Sequence, residues 1–131
     1  RLSRGLGDVY KRQIDDLIVY PGAELPVIQA IKLGAPGCIS ATANLNGGDI
    51  SKVINFCHDN EWEKAEDLHK KVTKVRLLFQ DYAPIPAQKG LLAKKTKISE
   101  WLNVRPPLKS INNDKVSELA NTLNNEFGYS Y

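Results

Sequence analysis

Several things are scarce in this 131-residue chain, and each scarcity excludes something. Cysteine occurs twice, at Cys38 and Cys57, with no CxxC pair, so neither a disulfide framework nor a zinc ribbon is suggested. Two lone thiols without a secretory leader fit a reducing cytoplasm, where they act as small apolar residues. The two histidines, His58 and His69, have no partner at metal-ligand spacing, so solvent-facing helix positions are expected for both and no metal site. No apolar run approaches membrane-spanning length, and there is no internal repeat or low-complexity tract. With 42% hydrophobic residues, the chain reads as globular material of one domain or part of one.

The charge balance is also less basic than it looks. Residues Arg1 to Gln13 show neither helical nor alternating periodicity. Asp8-Val9-Tyr10-Lys11-Arg12-Gln13 resembles the translation of GAT-GTG-TAT-AAG-AGA-CAG, a transposon end used in sequencing adapters. Ser3-Arg4-Gly5-Leu6-Gly7 continues that adapter upstream in frame. Residues 1–13 are therefore expected to be foreign and are set aside from fold reasoning. Removing Arg1, Arg4, Lys11 and Arg12 from 18 basic residues, and Asp8 from 15 acidic ones, leaves 14 of each. The formal charge falls from +3 to zero, and neither nucleic acid nor an anionic membrane is expected as a partner.

Two short apolar runs organise the rest. Leu17-Ile18-Val19-Tyr20 breaks at Pro21-Gly22-Ala23-Glu24, and Gly37 to Asn44 breaks at Asn46-Gly47-Gly48. Between them Leu25, Val27, Ile28, Ile31 and Leu33 recur at helical spacing, and Gly34 is placed as a helix stop. Strand, loop, helix, strand is a βαβ unit, which implies a parallel sheet. A parallel sheet needs several strands and cover on both faces, so two strands point to an incomplete chain. Pro21-Gly22-Ala23-Glu24 has no Gly-rich phosphate cradle, which argues against a nucleotide site.

Beyond Gly48 the pattern is helical. Asp49 is expected to cap a helix holding Ile50, Val53, Ile54 and Cys57, and Asn60 with Glu63 has capping-box spacing. Trp62, Ala65, Leu68, Val72, Val75 and Phe79 form one apolar stripe of the next helix, read as core rather than cofactor groove. Tyr82-Ala83-Pro84-Ile85-Pro86 breaks that helix. A further helix is expected from near Pro86 through Leu91-Leu92-Ala93, then a short turn at Trp101-Leu102. Arg105-Pro106-Pro107-Leu108 reads as a spacer, and Asn113 as the cap of a last helix with Val116, Leu119, Ala120, Leu123 and Phe127. Lys94-Lys95-Thr96-Lys97 has no aromatic platform beside it and reads as a solvated face.

The order of these blocks, above all Gly37-x-Ile39-Ser40-x-x-Ala43-Asn44 and Pro84-Ile85-Pro86-x-x-Lys89, resembles the dihydrodipicolinate synthase / N-acetylneuraminate lyase family. Its members are pyruvate-dependent class I aldolases, and the likeness covers nearly all of Ile14 to Tyr131. It implies an α/β fold: the last two strands of a (β/α)8 TIM barrel, with residues 14–59 as its closing part and 60–131 as a helical C-terminal region. It also implies that Gly22 and the main chain at Ile39 line a keto-acid pocket, with Glu24, Ser40 and Asn44 as further substrate-binding positions. Barrel enzymes carry their sites at the C-terminal ends of strands, where these residues fall. The alternative for Gly22 and Ile39 is a plain turn glycine and a core isoleucine.

Glu24 matches a sugar-contacting position of the sialic acid branch, but Leu25 replaces that branch's next acidic residue. Arg105-Pro106-Pro107-Leu108 is closer to the synthase-like and keto-acid aldolase branches, including 2-keto-3-deoxy sugar acid and 4-hydroxy-2-oxoglutarate aldolases. The family's Schiff-base lysine and relay tyrosine would both precede Ile14, so the chain alone is expected to be inactive and poorly soluble. Lys89 and Lys32 are not credible substitutes. The resemblance implies no cofactor, a small-molecule substrate, and a parent homodimer or homotetramer. The competing reading is a non-enzymatic helical interaction module, complete as written.

Overall fold

The computed structural model describes residues 17–131, and five α-helices follow in order among them. These are α1 (Val27–Lys32), α2 (Ala43–His58), α3 (Trp62–Leu78), α4 (Pro84–Thr96) and α5 (Asn113–Phe127), with 3-10 turns at Phe79–Asp81 and Ser99–Leu102. The foreign segment expected at residues 1–13 and the start at Ile14 lie outside the described residues. The chain divides into two compact units, one ending at Thr73 and the other running from Lys74 to Tyr131.

The βαβ expectation is met in its helix and not in its strands. Residues 17–21 and 35–40 lie in no helix or turn, and no strand ladder forms among the described residues. A strand exists only through its hydrogen-bonded neighbour, and here the two segments share one backbone bond, from Ile39 N–H to Pro21 C=O at 3.0 Å. The helix between them is short, six residues, and buries Val27 and Ile31, while Leu33 beyond its end is exposed. Gly34 does stop it. At φ +90° it lets its own N–H reach Ile31 C=O, and the Ala35 N–H reach Ala30 C=O, the double bond of a Schellman motif.

The core of the first unit joins Val27 and Ile31 to Ile50, Val53, Cys57, Ala65 and Val72. Asn46-Gly47-Gly48 is expected to break the chain, and at Asn46 it does so in part: α2 is two helical stretches joined by a kink at that residue, φ −116°, ψ 28°. Two glycines cost a helix about 2 kcal/mol in propensity; the buried stripe of Ile50, Val53 and Cys57 offsets it. Asp49 therefore sits inside the helix rather than capping it. Its carboxylate meets Lys71 at 2.9 Å and Lys52 at 3.9 Å.

Asn60 also does a different job from the one its spacing suggested. It stands at φ 61°, its N–H on Cys57 C=O and the next N–H, of Glu61, on Phe56 C=O. This is the C-terminal stop of α2, and Glu61 C=O accepts the first bond of α3 from Ala65.

The stripe of α3 is core as expected: Ala65, Val72, Val75 and Phe79 are buried. In the second unit α4 begins at Pro84, where a missing N–H costs nothing, and packs against α5 and the Ser99–Leu102 turn. Asn112 rather than Asn113 caps α5, accepting from the Asp114 N–H at 2.7 Å. The Arg105–Leu108 spacer is a turn closed by the Leu108 N–H on Arg105 C=O, with a cis Pro106–Pro107 bond. Of the lysine run, Lys94 reaches the Ser117 hydroxyl and Lys95 lies over the Tyr131 ring.

Candidate functional site

The bend after residue 20 and the segment before α2 are brought together by the Ile39 N–H to Pro21 C=O bond. Just past the bend, Glu24 turns inward and is fully buried. A buried carboxylate must have its oxygens satisfied. One Glu24 oxygen accepts from the Ser40 hydroxyl, the other from the Thr42 hydroxyl, and the two hydroxyls are 2.9 Å apart. The main chain of the same residue is also held: Glu24 C=O lies 2.9 Å from His69 Nε2 and accepts the Val27 N–H at 3.1 Å.

Ser40 ends the segment and Thr42 stands in the turn that follows, at φ −67°, ψ −14°, and both side chains reach Glu24. Ile39 and Ala41 are exposed, Ile39 at 70%. Thr42 closes the segment by starting α2: its C=O accepts the Leu45 and Asn46 N–H groups at 2.8 and 3.0 Å. Cys38, half-buried at the near end, has its thiol pushed up by burial and secondarily by the Glu24 charge, so it stays protonated and inert at neutral pH.

The five residues singled out from sequence are thus treated unequally. Glu24 and Ser40 are joined directly. Gly22 is exposed, with nothing within 4 Å of where a Cβ would stand. Ile39 contributes its main chain through Pro21. Asn44 is turned away into a local cap, donating to Ala41 C=O at 2.9 Å. Thr42 and His69 were not anticipated. Thr42 could have been found from the i, i+2 hydroxyl pair; His69, 45 residues from its partner, could not, and it is half-buried rather than solvent-facing.

The two lysines weighed from sequence have other partners. Lys32 pairs with Glu66 at 3.9 Å and lies over Trp62, and Lys89 donates to Asn103 C=O. Both cysteines are free thiols. Among the described residues no group of His, Cys, Asp and Glu could hold a metal ion, and no helix is long and apolar enough to cross a membrane.

Glu24, Ser40 and Thr42 thus form one hydrogen-bonded cluster between the bend and the segment before α2. Comparison with known proteins gives the family. The profile of the Dihydrodipicolinate synthetase family matches residues 4–126, and the chain belongs to that family. The 4-hydroxy-tetrahydrodipicolinate synthase of Methanosarcina mazei is 30% identical over 110 residues, 83% of this chain and 37% of that protein. That of Thermodesulfovibrio yellowstonii is 31% identical over the same share of each. Among solved structures, N-acetylneuraminate lyase from Fusobacterium nucleatum superposes at TM-score 0.77 and 19% identity, covering 97% of this chain and 42% of that one. The putative dihydrodipicolinate synthase from Thermus thermophilus does so at 0.71 and 22%, covering 98% and 45%. The fold is shared with both, and the chain spans little more than a third of the length of the curated relatives it matches.

Proposed function

We propose that the protein to which this chain contributes is a lyase that makes or breaks an aldol bond through a lysine Schiff base with pyruvate or another 2-keto acid. It is most like 4-hydroxy-tetrahydrodipicolinate synthase, the name carried by its curated relatives. In this reading residues 14–59 supply the last two strands and closing helix of a (β/α)8 barrel, and residues 60–131 the helical region that follows. The carrying observation is the juxtaposition of the Pro21–Glu24 bend with the Ile39–Thr42 segment, held by the Glu24 carboxylate and the Pro21 carbonyl. That is the arrangement expected of two neighbouring loops at the mouth of a barrel. Gly22 and the main chain at Ile39 line the keto-acid end of the pocket, with Glu24, Ser40 and Asn44 in support.

The chemistry needs an amine desolvated enough to be neutral, so that it can attack the ketone and leave a protonated imine as electron sink. Lys32 and Lys89 are engaged elsewhere, so this chain supplies pocket wall rather than nucleophile. Borohydride reduction in the presence of pyruvate tests the reading. The product of the native gene should gain the mass of a reduced pyruvate adduct on one lysine, and the 131-residue chain by itself should gain none. An unlabelled native gene product would refute the aldolase assignment. The competing reading, a helical interaction module, would then stand.

A further inference from the structure

The Glu24 cluster is built too deliberately for a residue that only meets solvent or substrate. Both carboxylate oxygens are already taken by Ser40 and Thr42, and the side chain is fully buried. A bound molecule on the open side therefore finds no acidic group offered by this bend. What the carboxylate does instead is decide how the Ile39–Thr42 segment faces. A segment that shares one backbone bond with its neighbour can rotate about its own axis. Here the Ser40 and Thr42 hydroxyls are gripped from within, and Ile39 and Ala41 are left exposed. The Ile39 N–H on Pro21 C=O fixes the height of the segment against the bend. Leaving Glu24 in place without its hydroxyls would strand a buried charge, a larger penalty than any local rearrangement. The grip is therefore all-or-none.

We propose that Glu24 is a positioning residue: acting through Ser40 and Thr42, it holds the Ile39–Ala41 main chain at the distance and angle that the keto acid requires, without touching it. This rests on the aldolase reading given above.

Steady-state kinetics of the native gene product, with pyruvate varied, test the proposal. The isosteric pair Ser40→Ala/Thr42→Val, and Glu24→Leu, should each raise KM for pyruvate about tenfold while kcat stays within about threefold, because a misplaced binding wall weakens capture without altering the nucleophile. Glu24→Gln keeps an acceptor oxygen and adds a donor that a hydroxyl can accept, and should restore KM to within about threefold of wild type. A merely structural cluster would lower Tm and leave the KM of the folded variants unchanged; that result overturns the proposal. If the Ser40→Ala/Thr42→Val pair does not fold, because it strands the buried Glu24 carboxylate, Glu24→Leu decides alone, since it removes that charge and leaves two hydroxyls 2.9 Å apart to bond each other. Absence of any pyruvate-dependent borohydride trapping in wild type is a separate outcome. It would refute the aldolase reading itself, and this inference with it.

Discussion

At the scale of single residues, burial governs the titrating groups. Tyr131 has its phenol pushed up to about 12 by desolvation. A phenol is neutral when protonated, so a raised native value means that the folded chain holds this proton more tightly than the unfolded one. Its contribution to stability is intact below the unfolded value of 10.0 and is lost as pH rises from there to about 12. The Tm of the wild-type chain should accordingly fall more steeply across that window than the Tm of Tyr131→Phe. Equal slopes for the two proteins would mean that Tyr131 is as well solvated folded as unfolded. Tyr82 shifts in the same direction, by desolvation first and then the charges of Glu118 and Asp81. The variant should therefore reduce the alkaline loss rather than abolish it.

At the scale of elements, α4 depends on one missing methyl. A Cβ at Gly90 would stand 2.6 Å from Val116 Cγ2 on α5 and 2.7 Å from Ile111 Cγ2 in the loop before it. Both neighbours are β-branched and stiff, so neither can swing aside. Forcing a methyl into such a contact costs about 1–3 kcal/mol, against which the better helix propensity of alanine recovers about 1 kcal/mol. Gly90→Ala should therefore lower the urea midpoint despite sitting mid-helix, where the same change is ordinarily stabilising. A raised midpoint would mean that α4 and α5 pack less closely than this. The same close approach is why α4 carries a glycine in the middle of an otherwise good helical sequence.

At the scale of the whole chain, the segments at 17–21 and 35–40 carry apolar surface that stays in water. Ile18 is 68% exposed, Tyr20 48% and Ile39 70%. Chain with open edges and apolar side chains invites pairing with other copies. The 131-residue chain should bind an apolar dye and scatter light more strongly with concentration, and Ile18→Lys with Ile39→Lys should reduce both signals. A wild-type chain that stays monomeric at high concentration would favour the self-sufficient module over a portion of a barrel.

Local interactions were what the amino-acid sequence could determine alone. The α3 stripe from Trp62 to Phe79, the Gly34 stop, the Pro84 break and the last helix are written in spacing and in residues with one strong conformational preference. The family was legible in the Gly37–Asn44 and Pro84–Lys89 blocks, and the residue 4–126 match bears it out. Three features were decided by tertiary structure. The Asn46-Gly47-Gly48 signal kinks α2 at Asn46 without ending it, because the buried stripe of Ile50, Val53 and Cys57 outweighs glycine's low propensity. The apolar runs at 17–20 and 38–42 did not become strands, because a strand is a relation between segments and not a property of one. Glu24 became a buried grip on Ser40 and Thr42, with His69 on its carbonyl from 45 residues away, because only folding sets the distance between groups so far apart in the chain.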